Sequence, residues 1–437
     1  MIANLVQMSY NLVDALWLGR LGRQSFAAPT VSWPLIMLFN SIGFGLAQAG
    51  MTLISQYFGA GDRKMSEKCA CQLIAFIITV ATIMSIIGFL MVDKILLFMG
   101  VPSDVYKLAL NYTRTIFAGL PIAFTGFAFI MIANAIGDTR TPTKLSITSA
   151  LVNMVLDPIL IFGLLGFPRL EVVGAALATI LSRALIATIG LTMLFRGFYD
   201  IKISLQCMRI EKWWLRKVVS IGLPLTIQSS SNALGFTVLM SIVSRFGSVA
   251  IAAYGIGIRI IDIIQAFTWG LQRAISIMIG QNIGAENYHR AKKIAYLASA
   301  FIALVLTFGA MAIYTIRTQA VAVFVPDPLV IAEGSIFLGY FIWSLPYFGV
   351  FFISNGVAQG SGHTKIVTLI SIARLWFFRV GFSLLLAIYL GMGTTGIWIA
   401  MTLSNMLAGI MAMIWMSRGR WLKRVIEQVT ITETSAV

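Results

Sequence analysis

Twelve apolar stretches, each about long enough to cross a bilayer as a helix and each followed by a short polar connector, constrain this chain most. They run over 1–19, 32–58, 70–92, 108–136, 143–165 and 173–195, then 215–244, 249–282, 291–315, 330–358, 366–390 and 393–417. In hydrocarbon every backbone N–H and C=O must be bonded within the protein, so only helices or a closed barrel can span. The ten-residue alternation of a barrel strand is missing. Charged residues make up 11% of the chain, where soluble domains carry about 25%. The expectation is an all-α integral membrane protein of about twelve transmembrane helices.

The formal charge of +16 raises the question of nucleic acid, and its placement answers it. Connectors after even-numbered stretches hold the dense basic groups: Arg63, Lys64 and Lys68, then Lys202 to Lys217, then Arg290, Lys292 and Lys293. The alternate connectors hold few, among them Lys94, Arg169, Arg245 and Arg317. This asymmetry sets orientation in a membrane and puts both termini on the cytoplasmic side. No nucleic-acid partner is expected. Three cysteines, Cys69, Cys71 and Cys207, make no disulfide framework and no metal half-site with a matching pair. The chain opens on apolar residues without a basic leader, so no cleavable signal peptide is expected. A phosphate loop of the Gly-Lys-Ser type is missing, which argues against ATP as the energy source.

The two halves repeat. Gln56-Tyr-Phe-Gly-Ala matches Gln281-Asn-Ile-Gly-Ala, Leu120-Pro121 matches Leu345-Pro346, and Gly137-Asp-Thr-Arg140 matches Gly362-His-Thr-Lys365. Leu21-Gly22 matches Phe246-Gly247 as well, and every pair is 225 residues apart (281 − 56, 346 − 121, 362 − 137, 247 − 22). Four ungapped anchors at one spacing indicate internal duplication. Six stretches per half keep both copies in the same orientation, related by an axis along the membrane normal. The expected organisation is a six-helix lobe over 1–198, a cytoplasmic linker over 199–214, a second lobe over 215–417 and a solvated tail over 418–437.

Of sixteen acidic residues, Asp14, Asp157 and Asp262 fall well inside apolar stretches. A carboxylate at the centre of a membrane helix costs about 3 kcal/mol on insertion scales, so each asks for a use. Asn153 and Asp157 are four apart and share a helix face, with Ser146 and Ser149 extending the stripe. Pro158 frees the carbonyl of Met154 one turn before the acid. On the first helix Gln7, Tyr10, Asn11 and Asp14 form a second polar face. Asp262 is three residues from Arg259, and a local ion pair is expected there. Arg273, Arg374 and Arg379 have no acidic partner in the sequence; they suit a wet cavity or an anionic part of a substrate. Many Phe, Met and Trp residues suit an adaptable apolar pocket as well as ordinary packing.

Tyr10-Asn-Leu-Val-Asp14, the Gly137-Asp-Thr-Arg140 turn, Val152-Asn-Met-Val-Leu-Asp-Pro158 and Gly174-Ala-Ala-Leu-Ala-Thr-Ile-Leu-Ser182 resemble the multidrug and toxic compound extrusion (MATE) family, in its DinF-like or archaeal-type branch. The resemblance covers nearly the whole chain. It implies a V-shaped fold of two pseudo-symmetric six-helix lobes, a monomer in the cytoplasmic membrane, and no catalytic residues. It also implies efflux of small organic, often cationic, compounds against inward H+ or Na+, with no other cofactor. Carried over by position, the coupling site comprises Asp14, Asn153, Asp157 and Thr179, which are also the possible Na+ ligands. Gln7, Tyr10, Asn11 and Tyr112 are implied in the adjoining substrate and polar network. Two departures stand out: the chain begins inside the first helix, and the counterpart of Asp157 in the second half is Phe382 (157 + 225).

The expected mechanism is alternating access, with Asp14 and Asp157 facing each other so that their proton affinities are coupled. A flippase for a lipid or lipid-linked sugar is the alternative within transport, favoured by the unpaired arginines. An intramembrane aspartyl protease fits poorly, because Asp157 lies in Val-Leu-Asp-Pro and the duplication would have no role. A passive channel lacks pore rings of repeated residues.

Overall fold

The structure, a computed structural model, describes residues 14, 17–18, 20–99, 101–199, 201–324 and 327–426. Among these the architecture is helical throughout, apart from one isolated bridge between Phe198 and Ile201. The N-terminal half contains α1 (Arg23–Gly59), α2 (Arg63–Phe98), α3 (Ser103–Ala118), α4 (Leu120–Ala135), α5 (Arg140–Phe162) and α6 (Glu171–Arg196). The C-terminal half contains α7 (Lys212–Ser244), α8 (Gly247–Gly284), α9 (Tyr288–Ala322), α10 (Pro328–Phe341) and α11 (Leu345–Ser361). It continues with α12 (Thr364–Ile372), two π-helical segments (Ala373–Gly381 and Leu384–Tyr389) and α13 (Gly393–Ser417). Ahead of α1, Asp14, Trp17, Leu18, Arg20 and Leu21 are helical as well.

Among the described residues, eight helices are long and apolar enough to cross a membrane, and up to ten if each bent pair counts as one span. The α3–α4 pair bends by 49°, where Gly119 and Pro121 interrupt the ladder of the expected stretch 108–136. The α7 helix falls short of that apolarity because Gln228-Ser-Ser-Ser-Asn232 sits at its centre. Those side chains are bonded to neighbouring helices instead: Gln228 Nε2 donates to Asn355 Oδ1 at 2.8 Å, and Trp376 Nε1 donates to Ser231 Oγ at 2.8 Å. Polar side chains that meet across helices are a normal adhesive in a bilayer.

Each half has its own buried core, and the halves meet along α1, α7, α8 and α11. The duplication is visible atom by atom at this seam. Gln56 Nε2 donates to the Gly360 carbonyl at 3.1 Å, and Gln281 Nε2 donates to the Ala135 carbonyl at 3.1 Å. Both donors and both acceptors are related by the same 225 residues (281 − 56 and 360 − 135). Gly59 and Gly284 are another such pair: a Cβ on Gly59 would strike the Gln281 carbonyl, and one on Gly284 the Gln56 carbonyl. The lobes are therefore closed on each other beside the basic connectors. Gly284→Ala is expected to cost about 1–3 kcal/mol as an overpacked contact, read as a lower melting temperature of the purified protein. An unchanged melting temperature would mean that the seam yields.

Two expectations need correction. Cys71 and Cys207 are joined as a disulfide with Cα atoms 5.6 Å apart, tying the linker to α2, while Cys69 is buried and free. Their 136-residue separation hides this from a local reading. Lys68 also holds the linker, through Glu211 at 2.8 Å, and with the Trp213 indole keeps that carboxyl below its usual range. Second, the start of the expected solvated tail is docked. Trp421 is fully buried, Val425 N–H donates to Gln56 Oε1 at 3.2 Å, and Lys217 Nζ donates to the Val425 carbonyl at 2.9 Å. A basic run near a membrane end looks solvated by composition, but this one carries a tryptophan anchor.

Candidate functional site

The α5 helix carries the polar stripe into the N-terminal lobe. Its stretch from Leu145 to Phe162 is apolar enough to hold a membrane helix, so the few polar groups have no solvent alternative and turn inward. Asp157 is fully buried, Asn153 and Ser149 nearly so, and all three lie against α6. With its amide oriented to satisfy both ends, Asn153 donates Nδ2 to Asp157 Oδ2 at 3.1 Å. Its Oδ1 accepts from the Thr179 backbone N–H at 3.2 Å. One turn along, Ser149 Oγ donates to the Ser182 carbonyl at 2.6 Å, and Ser182 Oγ donates to the Thr179 carbonyl at 2.9 Å. Gly174 allows this closeness, since a Cβ there would press on the Leu160 carbonyl of α5 at 2.5 Å.

The first helix is brought to the same place. Trp17 packs edge-on against Phe162 at 5.9 Å between ring centroids, and Leu18 is buried. Asp14, one turn before Trp17, is near enough to Asp157 for the two charges to interact, and its Oδ1 is buried without a hydrogen-bond partner. Asn153 thus bridges Asp157 and Thr179, with Asp14 within electrostatic reach of Asp157. Gln7, Tyr10 and Asn11 lie outside the described residues. Tyr112, on α3, is half-buried against the N-terminal core.

Beside the stripe is a cavity of about 300 Å³. Ser146, Ser149 and Asn153 form one wall and Phe44, Phe124 and Phe127 face it, with Arg183 at the lining. Aromatic walls with a few placed polar groups suit an organic ligand of variable shape. The buried Asp14 oxygen is an acceptor that a proton or a hard cation would satisfy. Among the described residues no three His, Cys, Asp or Glu side chains cluster, so Na+ would need the neutral oxygens of Asn153 and Thr179 beside the two carboxylates.

Other intramembrane charges fall differently from expectation. Arg259 and Asp262 are both exposed and form no ion pair among the described residues, so the local pairing is not found. A spacing of three permits contact, but both side chains reach outward. Arg273 is exposed on α8, whereas Arg374 and Arg379 are each 3% exposed inside the C-terminal lobe. Their partners Ser404 and Asn405 were not singled out from the sequence, because neither stands on a charged or repeated motif.

This arrangement can be set beside known proteins. The chain is 27% identical over 403 residues to the "Probable multidrug resistance protein YoeA" of Bacillus subtilis, covering 91% of this chain and 87% of that one. It is 25% identical over 419 residues to the FAD transporter of Shewanella oneidensis, covering 92% and 89%. Among solved structures, a MATE transporter in its bent conformation superposes with a TM-score of 0.90 at 24% identity, over 97% of this chain and 93% of that one. A MOP-superfamily transporter from Pyrococcus furiosus gives 0.85 at 24% identity, over 97% and 94%. The V-shaped pair of six-helix lobes expected from the sequence is the fold these structures share with it. The MatE family model matches residues 1–159 and 224–385, one segment in each lobe, and this chain belongs to that family of transporters.

Proposed function

We propose that this protein exports small organic compounds, many of them cationic, from the cell in exchange for inward H+ or Na+. The observation that carries this is that half-buried Asp14 comes within electrostatic reach of fully buried Asp157, whose partner Asn153 lines an aromatic cavity. Neutralising the pair with an ion removes the negative charge that holds a cation in the cavity, so ion entry and substrate release are linked. The multidrug resistance relatives support the substrate class. The seam at Gln56 and Gln281 is the contact that must open for the opposite face to be exposed. The basic connectors support a cytoplasmic side for that seam and for both termini. We take the unit to be a monomer in the cytoplasmic membrane, with no cofactor beyond the coupling ion and no catalysis. Asp14 and Asp157, in the N-terminal lobe, also favour the DinF-like or archaeal-type branch.

A second reading, export of a lipid or lipid-linked sugar, is favoured by one observation: the buried arginines of the C-terminal lobe. The experiment is uptake of ethidium into proteoliposomes with Na+ and pH gradients imposed separately. Accumulation under one gradient alone is expected and names the ion. Folded protein that moves no ethidium under either gradient would sink the antiporter reading.

A further inference from the structure

Arg374 and Arg379 are five residues apart, and a regular α-helix would point them about 140° away from each other. The segment Ala373–Gly381 is instead wound with i→i+5 bonds, and this wider turn brings both guanidinium groups to one place. Arg374 Nη1 donates to Asn405 Oδ1 at 3.2 Å and Arg379 Nη2 to the same oxygen at 2.6 Å. Arg379 Nε donates to Ser404 Oγ at 3.0 Å. Among the described residues no carboxylate pairs with either arginine, and Arg374 Nε is buried without any partner. Asn405 is itself fixed, donating Nδ2 to Ser344 Oγ at 3.1 Å.

Two cations in a membrane interior thus share one amide oxygen. The faces of Phe348 and Phe351 lie about Arg374 at 5.2 and 5.4 Å, and those of Phe236 and Phe341 about Arg379 at 5.9 and 6.0 Å. Aromatic faces attract the charge but accept no hydrogen bonds along the edge of the guanidinium plane. Each guanidinium carries five N–H donors, and among the described residues the pair has two neutral acceptors, Asn405 Oδ1 and Ser404 Oγ. The group that answers this deficit is an oxyanion, whose two or three oxygens match guanidinium forks bidentately. The position is telling too: by the 225-residue offset Ser404 corresponds to Thr179 and Arg374 to Ser149. The C-terminal lobe therefore holds a basic centre where the N-terminal lobe holds its acidic one.

We propose that Arg374, Arg379 and Asn405 form a binding site for an oxyanion, the carboxylate or phosphate of an amphiphilic molecule, in the C-terminal lobe. The site rests on the export reading only for how its ligand arrives. It widens the substrate class to zwitterions and anions, with opposite charges received by opposite lobes.

The test compares two dyes with one fluorophore, rhodamine 110 with a free carboxylate and rhodamine 123, its methyl ester. Binding to the purified protein is followed by fluorescence polarisation. Arg374→Gln and Arg379→Gln are expected to weaken the free acid at least tenfold and leave the ester within twofold. Asn405→Asp puts a carboxylate at the shared acceptor position, so it is expected to raise the melting temperature while abolishing binding of the acid. Equal effects on both dyes, or an Asn405→Asp protein that binds the acid normally, overturn the site. Displacement of the acid by dihexanoyl phosphatidic acid but not by inorganic phosphate assigns the ligand to a lipid headgroup. Displacement by both assigns it to a free oxyanion, and displacement by neither overturns the phosphate arm. Rhodamine 123 uptake by proteoliposomes reads the export function separately. Uptake of the ester without binding of the acid ends this inference alone, and binding without uptake ends only the export reading.

Discussion

Asp157→Asn is expected to leave a folded membrane protein that no longer concentrates ethidium in proteoliposomes. The substitution keeps the shape of the side chain and an oxygen that can still accept from Asn153 Nδ2, so packing at this fully buried position is little disturbed. What it removes is the charge. One H+ or Na+ moving down a tenfold gradient contributes about 1.4 kcal/mol, equivalent to a gradient of about tenfold in a monovalent cation exchanged one for one, and that exchange moves no net charge. Loss of coupling should therefore collapse accumulation by about that factor under an imposed tenfold gradient of the coupling ion, with a melting temperature close to wild type. Asp14→Asn should do the same, because its orphaned oxygen belongs to the same charge centre. The two effects should not add: once either acid is gone there is no pair to neutralise. Accumulation by Asp157→Asn at the wild-type level would remove this residue from the coupling step and leave Asp14 to act alone.

How much of this was legible in the sequence depends on how local each feature is. The stretch 393–417 coincides with α13, and 143–165 lies within three residues of α5, because an apolar run fixes where a helix enters and leaves hydrocarbon. Asp157 and Asn153 could be paired from spacing alone, and Thr179 and Asp14 from the family resemblance. Other features depend on the third dimension. Gln56 and Gln281 were visible as anchors of the repeat, but a side-chain amide reaching a carbonyl of the other lobe has no local signature. Arg374 and Arg379 look like separate faces under α-helical spacing, and only the π-helical winding unites them. Asn405 and Ser404 become notable once that winding is known. The Cys71–Cys207 link depends on the path of the linker, which no periodicity encodes.

The docked segment 418–426 has a mechanical consequence at the closed end, and Arg424→Gln is expected to expose it. Arg424 pairs with Glu286 at 2.8 Å and donates to the carbonyls of Ile283 and Gly284 at the end of α8. The next residue, Val425, donates to Gln56 on α1 in the other lobe. The segment thus bonds both lobes across the seam that would open in the proposed transport cycle, and it stabilises the closed side only. Bonds to a charged group contribute about 1.5–3 kcal/mol, which corresponds to a 10- to 150-fold change in a conformational equilibrium. Spin labels on Lys144→Cys and Lys365→Cys, exposed on the two lobes beside the seam, would report the separation. Wild type should give mainly the short distance, and Arg424→Gln should raise the longer population at least tenfold. Glu286→Gln should give a smaller shift in the same direction, since it removes one of the partners and leaves the two carbonyls. Unchanged distances in both variants would show that the glycine seam at Gly59 and Gly284 holds the closed state without the tail.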